Sequence, residues 1–262
     1  SHGPPFGRTG RKRETRREGV VPSVPCRLRS APRLCSARAM SAIRISHFSD
    51  VLCVWAYVSQ VRIDELRRTF GGQIDLDCRF VSVFGDARGK LAKNWEARGG
   101  AAAYRDHVLE VVGRFGHVPV HPEVWTRNTP ASSLPGHAFL CAVRRLERAR
   151  EAPAGAFDAA AWRLREAFFR DLVDVSRRSA LLAVAEEAGL AVAAIEAELD
   201  DGAAYAALAE DLERAREQDV RASPTMLFNE GRQRLTGNVG YRIIEANVRE
   251  LLERPAGQQS WC

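Results

Sequence analysis

Strand-like segments lie near both ends of the main body of this sequence, and its middle lacks them. Ala42 to Phe48 alternates apolar and polar residues, and Ile74 to Phe80 alternates strictly. Strand character returns at Thr225 to Phe228 and, after a turn, at Arg234 to Thr236. From Lys90 to about Glu217 the sequence is rich in Ala, Leu, Glu and Arg, most of which favour helices. This order predicts one sheet built from remote parts of the chain, with helices on both faces.

The segment between the first two strands has the length of a helix and ends at Gly71-Gly72. Its apolar residues change side halfway along, so we expect this helix to be covered on both sides. One face carries Val54, Tyr57, Val58 and Val61, and nearly the opposite face carries Ile63, Leu66 and Phe70. The inner face of the second strand is predicted to carry Ile74, Leu76, Cys78 and Phe80.

The first 40 residues differ in composition from the rest of the chain. They carry ten Arg or Lys side chains against two Glu, whereas the whole chain has a net charge of only +6. The remainder is slightly acidic and has no general attraction for nucleic acid or an anionic membrane, so neither partner is predicted. We interpret residues 1–40 as a disordered basic extension, or as a tag and leader before a natural start at Met40, and residues 255–262 as a tail. An Arg-rich transit peptide is the alternative for the extension.

Six cysteines in 262 residues do not suggest a disulfide framework, and no secretory signal is recognisable. We therefore predict a reducing, cytoplasmic location. The predicted folded body contains Cys53, Cys78 and Cys141. Several histidines invite a metal site, but Pro119 prevents His117 and His121 from sharing a regular helix face. No metal site and no tightly bound cofactor are predicted.

Two short segments carry the residues that suggest a chemistry. Phe48 to Tyr57 reads Phe-Ser-Asp-Val-Leu-Cys-Val-Trp-Ala-Tyr, and Ala222 to Phe228 reads Ala-Ser-Pro-Thr-Met-Leu-Phe. The first resembles the active-site segment of the DsbA family, particularly its FrnE-like branch, which typically has Cys-Pro-Trp-Cys-Tyr after Ser-Asp and two apolar residues. The second resembles the family segment with a cis-proline before the third strand.

The resemblance extends over about Ala42 to Leu252 and implies an α/β protein with a thioredoxin-like fold and an inserted all-helical domain. Residues 41–88 and 218–254 would form the thioredoxin-like domain, and residues 89–217 the helical insertion. The oligomeric state is left open, and a homodimer is compatible with the sequence.

Cys53 is predicted to lie at the N-terminus of the first helix, where backbone N–H groups stabilise a thiolate. We therefore expect a nucleophile near neutral pH. Ala56 occupies the position of the usual resolving cysteine, and Val54 replaces the usual proline. Because Ala56 cannot attack a mixed disulfide, its release would need glutathione or another cysteine. We expect neither Cys78 nor Cys141 to fill that role.

The resemblance also implies residues that bind glutathione or a client. The backbone of Ser223, beside Pro224, would pair with the ligand's peptide backbone. Trp55 and Tyr57 could wall an apolar groove, although packing in the core is favoured for Tyr57. His137, near two prolines, could lie on a substrate loop facing Cys53.

A last helix is predicted to begin near Gly237-Asn238, with Tyr241 among its apolar stripe. Its first N–H groups could hold the terminal carboxylate of glutathione. Asn238 as an ordinary helix N-cap is the alternative.

Three functions fit these observations. The leading one is a monothiol thiol-disulfide oxidoreductase that forms mixed disulfides at Cys53, with glutathione as co-substrate. The second is a glutathione-dependent isomerase or transferase acting on a small molecule, similar to 2-hydroxychromene-2-carboxylate isomerase or to the kappa-class transferases. The third is a non-catalytic thioredoxin-fold module that binds peptides.

Overall fold

The structure, a computed structural model, describes residues 42–253. Its strands are β1 (Ile43–Ser49), β2 (Ile74–Phe80), β3 (Thr225–Phe228) and β4 (Gln233–Thr236). Its α-helices are α1 (Val54–Phe70), α2 (Ala87–Trp95), α3 (Gly100–Val112), α4 (Leu134–Ala149), α5 (Ala156–Phe169), α6 (Arg178–Glu187), α7 (Val192–Asp200), α8 (Ala203–Glu217) and α9 (Tyr241–Glu253). The predicted basic extension and tail, with Cys26, Cys35 and Cys262, lie outside the described residues.

The four strands form one mixed sheet in the order β2-β1-β3-β4. β1 and β2 are parallel, with Ile43 opposite Ile74 and Ser49 opposite Phe80. β3 runs antiparallel to both β1 and β4. Helices α2–α8 therefore connect β2 to β3, and the sheet joins both ends of the described chain, as the sequence predicted. The loop that follows β1 is thereby brought beside the residues that precede β3.

Helix α1 begins at Val54 and ends at Phe70, before the two glycines, as predicted. Its first half packs into the larger hydrophobic core, which also contains residues of α2–α8. Its second half packs against the sheet and α9 in a smaller core. The predicted change of apolar side is thus confirmed, except that Val61 is 49% exposed. That residue lies near the switch between the two faces and belongs to neither core.

Helix α4 lies at the centre of the larger core, and most of its residues are buried. It begins at Leu134 with Pro135 in its first turn. An N–H group there would have no partner within the helix, so its absence in proline costs no hydrogen bond, and the fixed φ of proline suits a helix. β2 is less enclosed than predicted, because Leu76 and Cys78 are half-buried whereas Ile74 and Phe80 are buried. The start of α4 contacts the loop that follows β1, through hydrogen bonds of His137 and Ser133 to Val51 and Asp50.

Candidate active site

Cys53 is the N-cap residue of α1, with extended backbone angles. Its backbone N–H donates to the carbonyl oxygen of Asp50 at 3.1 Å, which closes a tight turn after β1. Its carbonyl accepts the N–H of Tyr57 at 3.1 Å. The residue is 6% exposed, and its thiol donates a hydrogen bond to the carbonyl oxygen of Ser223 at 3.2 Å. The thiol therefore lies where the first helix meets a segment 170 residues away.

Ser223 holds these two segments together. Its Oγ accepts the backbone N–H of Asp50 at 2.9 Å, while its carbonyl accepts the thiol of Cys53. The peptide bond between Ser223 and Pro224 is cis. On the far side, the carbonyl of Pro224 accepts the N–H of Gly237 at 2.8 Å. The backbone beside the thiol is thus fixed from both directions.

Asp50 is a buried carboxylate at the start of the thiol loop, the connection of residues 50–53 between β1 and α1. It accepts the backbone N–H groups of Leu52 at 2.9 Å and Phe84 at 2.8 Å, and the hydroxyl of Ser133 at 2.9 Å. Burial opposes its ionisation, but the adjacent imidazole of His137 and the hydrogen bonds from Phe84 and Leu52 hold the pKa of Asp50 below its ordinary range. An ionised side chain therefore ties the loop to the start of α4 and to the segment after β2.

His137 is fully buried in the first turn of α4 and does not lie on a substrate loop, so that prediction is wrong. Pro135 starts a helix here, and the helix carries the imidazole into the core. Its Nε2 accepts the N–H of Val51 at 3.1 Å and lies 3.6 Å from Oδ1 of Asp50. Its ring stacks on Phe80 with centroids 4.5 Å apart. His137 therefore holds the thiol loop through the hydrogen bond from Val51, and it is too buried to line a groove.

The electrostatic setting of Cys53 differs from the prediction. Burial raises the pKa of Cys53, and the negative charge of Asp50 adds to the rise. Hydrogen bonding with Ser223 and the N–H groups of Ala56 and Trp55 opposes this shift without reversing it. Burial is the largest of these influences, so the direction of the shift is opposite to the one predicted from the helix N-terminus.

The two aromatic residues that flank the thiol have different environments. Trp55 is half-buried and meets the ring of Phe115 edge to face, with centroids 6.5 Å apart. Tyr57 is fully buried, stacks on Phe169 at 4.9 Å and donates its hydroxyl hydrogen to the carbonyl of Pro119 at 3.2 Å. An enclosed ring cannot wall an open groove, so only Trp55 retains that predicted role.

Gly237 and Asn238 do not open the last helix, because α9 begins at Tyr241. The N–H of Gly237 already donates to Pro224, and the side-chain oxygen of Asn238 accepts a hydrogen bond from the guanidinium of Arg62. The first of these N–H groups is therefore engaged within the chain. The predicted carboxylate site at the start of the helix is not formed by this pair.

The other cysteines of the described chain are unpaired thiols. Cys141 is fully buried in α4, where burial raises its pKa to about 12. Cys78 is half-buried on β2, and burial raises its pKa to about 11. Ala56, one turn into α1, is itself buried. No second thiol stands beside Cys53 in residues 42–253.

The described residues carry neither a metal-binding cluster nor a membrane-spanning helix. Residues 42–253 contain no cluster of three or more His, Cys, Asp or Glu side chains suited to a metal ion. Within the same range, none of the helices combines the length and apolar character needed to cross a membrane.

Sequence reasoning missed two polar residues that shape the site. The sequence pattern assigns no role in the site to Asp50 or to Ser133. The Ser-Asp pair before Cys53 is the one local signal for Asp50, because the same pair occurs in the resembling family segment. Nothing in the sequence near Ser133 indicates that it meets a carboxylate 83 residues earlier.

Comparison with known proteins gives one family and several solved structures. The model of the DSBA-like thioredoxin domain matches residues 44–248. A search of the curated proteins finds no match. The fold resembles a probable DsbA oxidoreductase from Streptomyces coelicolor, with a TM-score of 0.64 and 18% identity over 83% of this chain and 93% of that chain.

Two further structures represent different activities. The cytosolic disulfide reductase DsbM from Pseudomonas aeruginosa has a TM-score of 0.58 and 19% identity, over 79% of this chain and 99% of that chain. A 2-hydroxychromene-2-carboxylate isomerase has a TM-score of 0.57 and 20% identity, over 83% of this chain and 100% of that chain. At such identities the structures show the fold alone. Together with the family model, they confirm the predicted thioredoxin-like fold.

Proposed function

This chain belongs to the DsbA-like thioredoxin-domain family, and from that premise we propose that it is a monothiol thiol-disulfide oxidoreductase linked to glutathione. One observation carries the proposal. The Cys53 thiol lies at the N-terminus of α1, 3.2 Å from the carbonyl of Ser223, and Ala56 stands where a second thiol would be. This arrangement favours a single sulfur that accepts one partner at a time.

The proposed reaction has two exchange steps. In the first, the Cys53 thiolate attacks one sulfur of a substrate disulfide, a Cys53 mixed disulfide forms, and the other sulfur leaves as a thiolate. When the substrate is a glutathione mixed disulfide and Cys53 attacks the glutathione sulfur, the client leaves with its thiol reduced. In the second, a glutathione thiolate attacks the glutathione sulfur bound to Cys53. Oxidised glutathione leaves, and the Cys53 thiolate is restored.

Glutathione is proposed as the second thiol for two reasons. Cys78 and Cys141 lie on β2 and in the middle of α4, and neither is beside Cys53. DsbM from Pseudomonas aeruginosa has also been solved with GSH, at 16% identity and a TM-score of 0.55 to this chain. A reducing cytosol, which we propose as the location, would supply that tripeptide.

The test is turnover of a glutathionylated peptide with reduced glutathione, using the full chain. We expect turnover by the unchanged protein and by Cys141→Ser, and loss of at least about 100-fold in Cys53→Ser because a hydroxyl cannot form the mixed disulfide. Equal turnover by Cys53→Ser would overturn the proposal.

A second candidate function rests on the protonation of the same thiol. Because burial raises the pKa of Cys53 and the thiol donates to Ser223, it could equally donate to the sulfur of bound glutathione. The protein would then be an isomerase or transferase that activates glutathione, as a hydroxyl at this position could also do. Retained glutathione-dependent isomerisation of an aromatic substrate by Cys53→Ser, with loss in Cys53→Ala, would select this function. Absence of both activities would favour the peptide-binding module.

A further inference from the structure

Arg165, on α5, is a buried cation without a carboxylate partner. It is 3% exposed and donates to the side-chain oxygen of Gln60 at 2.7 Å and to the hydroxyl oxygen of Ser49 at 3.2 Å. Within residues 42–253, no carboxylate oxygen lies within 4.0 Å of its guanidinium nitrogens. Buried charges are normally paired, because neutral oxygens offset only part of the cost of leaving water.

The carboxylates around this position are engaged elsewhere. Asp158, on the same helix, forms an ion pair with Arg67 at 2.9 Å. Asp64 accepts a hydrogen bond from the side-chain N–H of Gln60 at 3.0 Å. Asp50 accepts its hydrogen bonds from the thiol loop, the segment after β2 and the start of α4. The positive charge of Arg165 is therefore left without a direct counter-charge.

A small, partly open chamber adjoins this charge, between β1, β2, α1 and α5. Its walls include Arg165, His47, Ser49, Gln60 and Cys78. Two buried nitrogens on those walls, Nε of Arg165 and Nε2 of His47, have no hydrogen-bond partner among the described residues. The Nε of arginine can only donate, and a neutral imidazole can donate from one of its two nitrogens. The chamber thus offers the Nε–H of Arg165 and, in one neutral tautomer of His47, an imidazole N–H beside the charge of Arg165.

His47 adds a donor to the chamber and no further charge. Burial lowers its pKa to about 3, and repulsion by Arg165 and Arg67 contributes to the shift. The imidazole is consequently neutral across the physiological range. A single monovalent anion would balance the charge of Arg165.

Size and access define the ligand class further. The chamber has room for about one particle of the size of water. It shares Cys78, Phe157 and Asp158 with a wider open cleft whose walls also carry Arg67, Arg144 and Arg148. The three arginines are ion-paired with Asp158, Asp211 and Asp77, so the cleft provides access to the chamber without a net positive field. A sulfate or a carboxylate-bearing metabolite would be too large for the inner space.

We propose that this chamber is a binding site for one small monovalent anion of the halide type, held by Nε of Arg165 and the imidazole of His47. A water molecule could satisfy the same donors, but it would leave the charge of Arg165 unbalanced. The anion would link β1 and α5 and would stabilise the folded protein increasingly with its occupancy.

The test compares thermal unfolding in sodium chloride with sodium gluconate at constant ionic strength. The unchanged protein should show a saturable rise in Tm with chloride, and Arg165→Met should lose it. Arg163→Met is the matched control, because Arg163 lies on the same helix in partly exposed ion pairs with Asp171 and Glu187. It should keep the chloride response. An equal response in Arg165→Met and the unchanged protein overturns the proposal.

A second measurement uses the unchanged protein and therefore needs no variant. Crystals of the unchanged protein grown with sodium bromide should show anomalous scattering between Arg165 and His47. The bromide concentration should be one at which the rise in Tm is saturated. Density at that position without an anomalous signal would then identify a water molecule and contradict the anion site.

Discussion

The start of α1 and the middle of α4 each bury a thiol, and the two settings differ in kind. Cys53 is 6% exposed and Cys141 is fully buried, and burial raises the pKa of both. Yet Cys53 is an N-cap residue beside a segment from the far end of the chain, whereas helix residues surround Cys141 on both sides. Burial and pKa direction do not distinguish the two thiols, but their position does.

The charges near the two thiols favour a thiolate at Cys141 over one at Cys53, whereas their positions favour reaction at Cys53. Asp50 disfavours a thiolate at Cys53, whereas Arg144, whose guanidinium lies 3.4 Å from Sγ of Cys141, favours one there. If charge alone decided reactivity, Cys141 would have the advantage. We expect the reverse, because a disulfide sulfur must approach the thiolate directly. The following predictions test this comparison.

The largest expected difference is in alkylation of the native protein. Iodoacetamide should modify Cys53 at least about 100-fold faster than Cys141, because only Cys53 lies at a helix end next to the surface. Peptide mapping by mass spectrometry after timed quenching would measure both rates. In denaturant the two rates should become similar. A native protein in which Cys141 reacts first would break the comparison.

The second prediction concerns pH. Since burial and Asp50 raise the pKa of Cys53 and the thiolate is the reactive form, its alkylation rate should climb about tenfold per pH unit from roughly pH 6.5 to 8.5. No plateau is expected in that range. Timed quenching at each pH followed by peptide mapping would follow the Cys53 peptide separately from those of the other five cysteines. A plateau below about pH 7.5 would instead support the thiolate that the sequence predicted.

The third prediction separates the two effects of Asp50. Asp50→Asn removes a negative charge that raises the pKa of Cys53, so alkylation near neutral pH should become several-fold faster, up to about tenfold. The same variant should be less stable, because Asp50 accepts three hydrogen bonds. Asp86→Asn, at the exposed N-cap of α2, should leave the rate unchanged. A slower reaction in folded Asp50→Asn would show that the carboxylate assists the thiol.

The smallest expected effect is on stability. Cys53→Ser should change the free energy of unfolding by less than about 0.5 kcal/mol, because serine is a favourable N-cap residue. Cys141→Ser should cost about 1–2 kcal/mol, because it places a hydroxyl in the apolar core. Urea unfolding of both variants would measure the difference. Equal losses would mean that the two thiols have the same structural role.

The fold could be predicted from the sequence where the pattern was local. Strict alternation identified β2, and the change of apolar side along α1 correctly indicated packing on both faces. Gly71-Gly72 ended that helix as expected, because glycine favours helix C-termini. The position of Cys53 beside Ser223 also agrees with the resemblance.

The remaining site residues depended on contacts that periodicity does not contain. The two prolines near His137 suggest a loop, although Pro135 lies in the first turn of α4, which carries His137 inward. The helix face of Tyr57 favours packing in the core, and Phe169 and Trp162 enclose its ring, but the sequence does not identify these partners. In the sequence, Arg165 resembles a solvent-exposed helix residue. It is buried because the sheet and α1 pack over it. Each of these outcomes was decided by tertiary packing.

The most direct test of the proposed role of Cys53 is the position of a glutathione adduct. The unchanged protein is incubated with oxidised glutathione, quenched by acid and mapped by mass spectrometry. We predict one adduct at Cys53 that forms faster as pH rises and is removed by reduced glutathione. An adduct confined to Cys78 or Cys141, or no adduct at Cys53 while the protein remains folded, would contradict the proposed exchange chemistry.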